Sequence, residues 1–267
     1  MELRKMLKIG FKMRQRFFII LLIIAFTSPF AVYGQNRDHD PVGMLRDKYR
    51  DFQQPGSPTD PKIRFFDADS IFSTTGTGIV QIMIIRHQTV YLPKQRNYTC
   101  REARRYTDAY DTAVIHPITF SPIEVGTTEI DSVYCSLLRR SQKTALAITA
   151  GQIPISPYPL FNEFKKYPPP LPVVRFPIWT WRLLSTAEWF LGLSQNTNEN
   201  FSEARNRAKA ATCFLEIRAG EDGKVLLVAH GFLNHYLKKY LKKNGWEIII
   251  NGGHANLGVT LLVKERE

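Results

Sequence analysis

The 267-residue sequence has little cysteine and lacks several patterns that commonly identify a function. Its three cysteines are too few for a disulfide framework, and no zinc-type cluster of cysteine and histidine occurs. There is no glycine-rich phosphate loop and no internal repeat. These absences argue against a disulfide scaffold, a zinc module, a P-loop nucleotide-binding protein and a repeat protein. One bridge is conceivable, but Cys135 and Cys213 lie in apolar stretches, which favours buried thiols.

Acidic residues are also scarce, at 24 against 36 basic residues, and the formal net charge is +12 at pH 7. Residues 1–34 hold six of the basic residues and one of the acidic ones, so 30 basic and 23 acidic residues remain, a net charge of +7. A basic surface suits phosphate esters, nucleic acid or anionic lipid, and charge alone does not choose among them. Because the basic residues are dispersed and no nucleic-acid-binding motif occurs, nucleic acid is not an expected partner.

The N-terminal segment, residues 1–34, has the pattern of a secretory signal peptide. Six basic residues precede the apolar run 17–26, and residues 31–34 offer a small residue for cleavage. A spanning helix needs about 20 apolar residues, more than this run supplies. We therefore predict an exported protein, periplasmic or secreted, whose membrane contact is limited to this segment. An uncleaved membrane anchor is the alternative.

The rest of the chain divides into a polar N-terminal arm, residues 35–77, and a domain, residues 78–267. The arm contains one short helical stretch around residues 44–52. Strands of the domain are predicted at 79–85, 132–135, 224–229 and 258–264. One helix is predicted to end near residue 112, and three more are predicted at 138–150, 202–218 and 232–244. Alternating helices and near-continuous apolar strands predict an α/β three-layer sandwich, a mostly parallel sheet with helices on both faces.

Polar side chains that suit phosphate follow the ends of these strands. Arg86 and His87 follow the first strand, and His230 follows the strand 224–229. Arg140 lies in the first turn of the helix that follows the second strand. In such sheets ligands bind beyond the carboxyl ends of the strands. Two guanidinium groups and a free imidazole there are the groups that a tetrahedral dianion needs.

Four motifs together resemble the histidine phosphatase superfamily, specifically its phosphoglycerate-mutase-like branch. They are IRH at 85–87, VYCSLLRRSQKTA at 133–145, FNE at 161–163 and VAHG at 228–231. The similarity extends from about residue 79 to residue 263. Much of residues 164–200 lies outside any motif and occupies the position where the family inserts a cap over its substrate.

The resemblance implies a metal-independent phosphatase that hydrolyses phosphate monoesters of small molecules and needs no cofactor. His87 would be the nucleophile that forms a phosphohistidine, and Glu163 would protonate the leaving oxygen and then activate water. Arg86, Arg140 and His230 would hold the phosphate oxygens and stabilise the transition state, so His230 also counts as catalytic. Arg139, beside Arg140, is expected at the surface.

The sequence departs from the family pattern after the Arg-His pair. Gln88 stands where the family usually has glycine, and Thr89 replaces an acidic residue. Gln88 is therefore a possible substrate contact, and an inactive relative that binds a phosphorylated ligand is the alternative function. A basic structural protein that binds anionic lipid or polysaccharide is a further alternative. Leu137 replaces the aspartate that is common at its position.

Two assignments remain open between a functional and a structural role. The carboxylate assigned to Glu163 has competitors in Glu102, Glu124 and Glu129. In the predicted cap, proline and tryptophan residues either form an apolar wall over the phosphate pocket or pack the cap on the core. The tryptophans are Trp179, Trp181 and Trp189.

Overall fold

The computed structural model describes residues 41–48, 78–118, 130–193 and 199–266. The helices are α1 Pro41–Lys48, α2 Cys100–Thr112, α3 Arg139–Ile148, α4 Ile178–Phe190, α5 Phe201–Asp222 and α6 Gly231–Lys243. The strands are β1 Ile79–Arg86, β2 Val133–Cys135, β3 Ile155–Pro157, β4 Lys224–Ala229, β5 Glu247–Asn251 and β6 Val259–Glu265. The predicted signal peptide, residues 1–34, lies outside the described residues, as does most of the predicted arm.

The six strands form one mixed sheet in the order β3-β2-β4-β1-β6-β5. The pairs β3-β2, β2-β4 and β4-β1 are parallel. The pairs β1-β6 and β6-β5 are antiparallel. The sequence analysis predicted the α/β class and the mostly parallel sheet correctly, but it did not predict the antiparallel edge strand β5.

Strand β1 lies inside the sheet and is buried on both faces, which explains its unbroken apolar sequence. Ile82 and Ile84 pack into one core with α5 and α6. Met83 and Ile85 point the other way, into a core that includes α3 and Leu45 of α1. Helices therefore cover both faces of the sheet, as predicted.

The predicted arm contributes one helix, α1, to this second core. The sequence predicted a helical stretch around residues 44–52, and the structure describes it at Pro41–Lys48. Arg46 donates two hydrogen bonds of 2.7 Å to the carboxylate of Glu247 on β5. This helix is thus attached to the sheet by burial of Leu45 and by an exposed ion pair.

The sequence analysis did not predict helix α4, which lies in the segment expected to form the cap. Trp181 is fully buried against α2, and its Nε1 donates to the carbonyl of Tyr98 at 2.8 Å. Trp189 is buried against Phe164, whereas Trp179 is 65% exposed. Trp181 and Trp189 thus pack the segment on its neighbours, and Trp181 and Pro168 also line the cavity next to His87, so the two roles coexist in Trp181. A cap function for residues 164–200 stays a prediction.

The three cysteines are free. Cys135 is buried, as predicted, and burial raises the pKa of its thiol to about 12. The prediction was wrong for Cys213, which is exposed. Helix α5 packs on the core through one face, which runs from Ala204 to Ala219, and Cys213 lies outside that face. Among the helices that the structure describes, none is long and apolar enough to span a membrane.

Candidate active site

The ends of β1 and β4 place His87 and His230 side by side. The strands pair in parallel, with Arg86 opposite Ala229, so the residue after each strand emerges at the same edge. The His87 N–H donates to the carbonyl of Ala229 at 2.9 Å, and the two imidazole centres are 5.0 Å apart. This is the convergence that the sequence predicted.

The His87 imidazole is held as one tautomer by its neighbours. Its Nδ1 lies 2.7 Å from the carbonyl oxygen of Gln88, which only accepts hydrogen bonds, so Nδ1 carries the proton. The lone pair is then on Nε2, which accepts from the Nε of Arg140 at 3.2 Å. Burial lowers the pKa of His87 to about 3, with smaller contributions from the charges of Arg140 and Arg86. The hydrogen bond to the Gln88 carbonyl acts in the opposite direction and raises the pKa. The ring is therefore a neutral imidazole with an unprotonated nucleophilic nitrogen at physiological pH.

Arg140 is buried at the start of α3, whereas Arg139 is exposed, as predicted. One terminal nitrogen of Arg140 is 2.7 Å from Asp111 on α2. The guanidinium carbon lies 4.9 Å from the ring centre of Tyr110. The carboxylate and the ring fix the guanidinium beside His87 and leave it with a neutralising partner.

His230 is fully buried and does not line the cavity next to His87. Its Nε2 lies 2.7 Å from the hydroxyl of Ser136, and that hydroxyl already accepts from the N–H of Leu138. The buried hydroxyl has no other acceptor for its hydrogen among the described residues, so it donates to Nε2, which places the imidazole proton on Nδ1. Burial, followed by the charge of Arg140, lowers the pKa of His230 well below its ordinary value.

Two buried nitrogens at this edge have no hydrogen-bond partner among the described residues, namely Nδ1 of His230 and Nε of Arg86. A buried donor without a partner costs about 1–3 kcal/mol, so such groups in a folded protein need an explanation. Arg86 also donates through Nη1 to the carbonyl of His254, which fixes its guanidinium. Unpaired donors beside a cationic cluster are suited to an anion.

Glu163 is attached to the first turn of α6, directly after His230. Its Oε2 accepts from the N–H of Phe232 at 3.2 Å, and its Oε1 accepts from the N–H groups of Leu233 and Phe164, each at 3.1 Å. A carboxylate offers about four lone-pair sites, so one site on Oε2 remains for a proton or a water molecule. Of the competing carboxylates, Glu102 is engaged in the capping box of α2, and Glu124 and Glu129 lie outside the described residues.

Arg86, His87, Arg140 and Glu163 all line one cavity of about 610 Å³. Gln88 does not line it. The Gln88 side chain accepts from the N–H of Thr89 at 2.8 Å and donates to the carbonyl of Pro117 at 3.4 Å. The side chain of Gln88 therefore does not narrow this cavity, and a substrate contact by Gln88 stays a prediction.

A family model supports the same interpretation from the sequence side. The model of the histidine phosphatase superfamily (branch 1) matches residues 124–267, more than half of the chain. The chain belongs to this superfamily. The match includes Arg140, Glu163 and His230, whereas Arg86 and His87 precede it. Membership supports an enzyme of the phosphatase or mutase type.

Similar solved structures are more distant. YhfR of Bacillus stearothermophilus is 17% identical, with 61% of this chain and 80% of that chain covered and a TM-score of 0.37. A proposed alpha-ribazole-5'-P phosphatase from Escherichia coli is 18% identical, with 61% and 79% covered and a TM-score of 0.35. The alpha-ribazole phosphatase from Shigella flexneri is 17% identical, with 67% and 95% covered and a TM-score of 0.37. No curated protein matches the sequence.

Several residues of this histidine phosphatase site were missed by sequence reasoning. Asn256 donates to the carbonyl of His87 at 2.7 Å from the turn before β6. The hydroxyl of Thr144 accepts from the Gln88 N–H at 3.0 Å. Arg207 of α5 donates to the carbonyls of Leu160 and Asn162, just before Glu163. Ser136 and Thr144 lie inside the motif at 133–145 and could have been predicted from it, but no sequence pattern pointed to Asn256, Asp111 or Arg207.

Proposed function

We propose that this chain is a phosphatase that hydrolyses phosphate monoesters through a phosphohistidine on Nε2 of His87. The observation that carries the proposal is the lone pair of a neutral, buried imidazole next to Arg140, at an edge with two unpaired buried donors. A phosphate group in the cavity would lie against the nucleophile, beside Arg86 and Arg140, which line the same cavity. Family membership supports the same class of chemistry.

The first step transfers the phosphoryl group to the protein. Nε2 of His87 attacks phosphorus, the bond from phosphorus to the ester oxygen breaks, and Glu163 gives the leaving oxygen a proton. The new N–P bond places positive charge on the imidazole ring. The Gln88 carbonyl, 2.7 Å from Nδ1, stabilises that charge through the Nδ1–H bond.

The second step regenerates the imidazole. A water molecule attacks phosphorus, the N–P bond breaks, and its electron pair returns to Nε2. The carboxylate of Glu163 takes the proton of the water, through the lone-pair site that the backbone N–H groups leave open. Arg86 and Arg140 stabilise the charge of the phosphoryl oxygens in both steps, and Arg140 exchanges its bond to His87 for one to phosphate.

The inactive-relative alternative rested on Gln88, and no observation among the described residues favours it. The side chain of Gln88 is directed to Thr89 and Pro117 and leaves the cavity open. Three backbone N–H groups fix the carboxylate of Glu163 beside His230, and binding of a phosphorylated ligand without hydrolysis would not require this carboxylate. We therefore retain hydrolysis as the function.

The test is hydrolysis of 4-nitrophenyl phosphate by the purified protein, with EDTA present, beside His87→Ala and the matched control His235→Ala. His235 is exposed on α6 and outside the cavity. We expect turnover in the original protein and the control, and at least a thousandfold loss in His87→Ala. An acid-labile phosphoryl label on His87 should form during turnover. Equal turnover in His87→Ala would contradict the proposal.

Metal independence and export are parts of the proposal with their own tests. Unchanged turnover in EDTA supports metal independence, and loss that zinc or magnesium restores would contradict it. The signal pattern of residues 1–34 supports export to the periplasm or the medium, with a phosphorylated small molecule as the substrate. Mass spectrometry of the protein from fractionated cells tests this, since a cytoplasmic protein that retains residues 1–34 would overturn it.

A further inference from the structure

Exposed apolar side chains lie side by side at the start of α4. Trp179 and Leu183 are each more than half exposed, and their spacing of four residues places them on one face of the helix. Val173, in the loop before α4, is fully exposed. Its backbone lies in the left-handed region, at φ 60°, which a β-branched residue rarely adopts. Neither burial nor backbone preference therefore accounts for a valine at this position.

Basic side chains lie beside this apolar face. Arg182 is exposed on the same side of α4 and lines a second cavity, of about 410 Å³, together with Lys94. The loop that carries Lys94 is attached to the chain before α4 by two backbone hydrogen bonds, of 2.8 and 3.0 Å, between Tyr98 and Phe176. These two segments, residues 91–98 and 173–183, therefore form one continuous surface, called the α4 surface below.

The charged side chains around the α4 surface are of one sign. Residues 88–101 contain three basic residues and residues 164–187 contain four, and neither segment contains an acidic residue. Arg175 is paired with Glu102, the next residue along the chain, at 3.1 Å. Within the described ranges, Lys94, Arg96 and Arg182 form no ion pair, so their charges are available to an anionic partner.

This combination of side chains fits the surface of a lipid bilayer. Tryptophan and tyrosine are enriched where acyl chains meet headgroups, and lysine and arginine attract anionic headgroups. The α4 surface has both kinds, since Tyr91, on the loop with Lys94, is also more than half exposed. A single-stranded nucleic acid would engage the cations and the aromatic rings, but it would leave Val173 and Leu183 in water. Acyl chains bury such aliphatic groups, so the lipid surface is the better match.

We infer that the α4 surface docks on a lipid bilayer that contains anionic lipid. Val173, Trp179 and Leu183 enter the boundary between headgroups and acyl chains. The unpaired cations beside them, among them Lys94 and Arg182, meet the anionic headgroups. The inference goes beyond the proposed hydrolysis and does not depend on it. It adds a second membrane contact to the one that the sequence predicts for residues 1–34.

Tryptophan fluorescence measures this docking directly in the full-length protein. All four tryptophans lie in the described ranges, and Trp179 is exposed, whereas Trp181, Trp189 and Trp246 are buried. Emission is recorded with vesicles of phosphatidylcholine alone or mixed equally with phosphatidylglycerol, with and without bromine on the acyl chains. We expect a blue shift and quenching by the brominated chains in the mixed vesicles, both weaker at high salt. Residues 1–34 contain no tryptophan, so their own contact with lipid would not give this signal.

Variants connect the signal to named side chains. Trp179→Phe should remove most of the quenching. Lys94→Gln should weaken binding to the mixed vesicles about fivefold, the factor that one basic residue contributes near an anionic surface. Lys209→Gln, at an exposed position on α5, is its matched control and should bind as the original protein does. Leu183→Ser should also weaken binding, whereas Ile217→Ser, exposed on α5, should not. Turnover of 4-nitrophenyl phosphate should stay unchanged in all of them.

Val173→Asn separates docking from folding. Asparagine suits the left-handed backbone better than valine, so the thermal midpoint should rise or stay unchanged while vesicle binding weakens. No quenching in the mixed vesicles, or equal quenching in neutral and mixed vesicles, would overturn the inference. A single-stranded oligonucleotide that shifts the Trp179 emission where vesicles do not would overturn it in favour of nucleic acid. A dimer that Trp179→Ser dissociates, without any vesicle binding, would overturn it in favour of a second copy of the chain.

Discussion

The Nε of Arg140 donates a hydrogen bond to Nε2 of His87 at 3.2 Å, so the cation and the unprotonated ring nitrogen are in direct contact. Removal of the guanidinium takes away one of the charges that disfavour a protonated imidazole. In Arg140→Met we expect the pKa of His87 to rise but to stay below its ordinary 6.5, because burial is the larger cause. Histidine NMR titration measures this, and a pKa that does not rise contradicts it. We expect turnover to fall at least a hundredfold.

Stability should depend on pH through His87. The pKa is about 3 in the folded protein and about 6.5 in the unfolded chain, so the unfolded chain binds the extra proton between these values. The free energy of unfolding therefore falls as pH falls below 6.5, by at most about 1.4 kcal/mol per pH unit for this one group. His87→Gln should make the slope shallower by about that amount. Urea unfolding at pH 6.5, 6.0, 5.5 and 5.0 measures the slopes, and equal slopes would contradict the prediction.

Gly231 leaves room for the guanidinium of Arg86. A Cβ built at Gly231 would lie 3.2 Å from Nε and 3.3 Å from Cζ of Arg86, tighter than ordinary contacts. We expect Gly231→Ala to displace the guanidinium and to raise KM for a phosphate ester about tenfold. The thermal midpoint should hardly change, because alanine suits the first helical position better than glycine. Gly220→Ala on α5, where a Cβ meets nothing, is the control.

Arg207 should act on catalysis through the position of Glu163. It ties Leu160 and Asn162 to α5 and is itself held by Glu199. Arg207→Met is expected to lower kcat about tenfold with little change in KM, and to alter the pH profile, because it would misplace Glu163, the proposed proton donor. Arg205→Met, two residues away on the same helix, is the control. A loss of thermal stability with an unchanged kcat would assign Arg207 a structural role only.

The sequence was sufficient for the elements whose patterns are local. The apolar runs of β1 and β4 predicted buried strands, and the order of the motifs predicted which polar groups meet beyond them. Helix α4 escaped prediction because it is apolar on nearly every side and so has no single hydrophobic face. Strand β5 is a short edge strand between a helix and a glycine-rich turn.

The sequence did not predict the supporting residues of the site, and the reason is different from that for α4 and β5. Asp111, Asn256 and Arg207 lie on a helix end, a turn and a helix face, each far along the chain from the residue it contacts. Tertiary packing alone decides these contacts. An aspartate in the last turn of α2 has no local pattern that distinguishes it from Asp108, three residues earlier.

The central place of β1 in the sheet sets a limit on how the protein can be shortened. The family match begins at residue 124, but β1 lies between β4 and β6 and pairs with both. A fragment that starts at residue 124 would leave two facing strand edges unpaired in the middle of its core, and such edges bind other chains. The matched segment is therefore not an independent folding unit, and any shortened form must begin before Ile79.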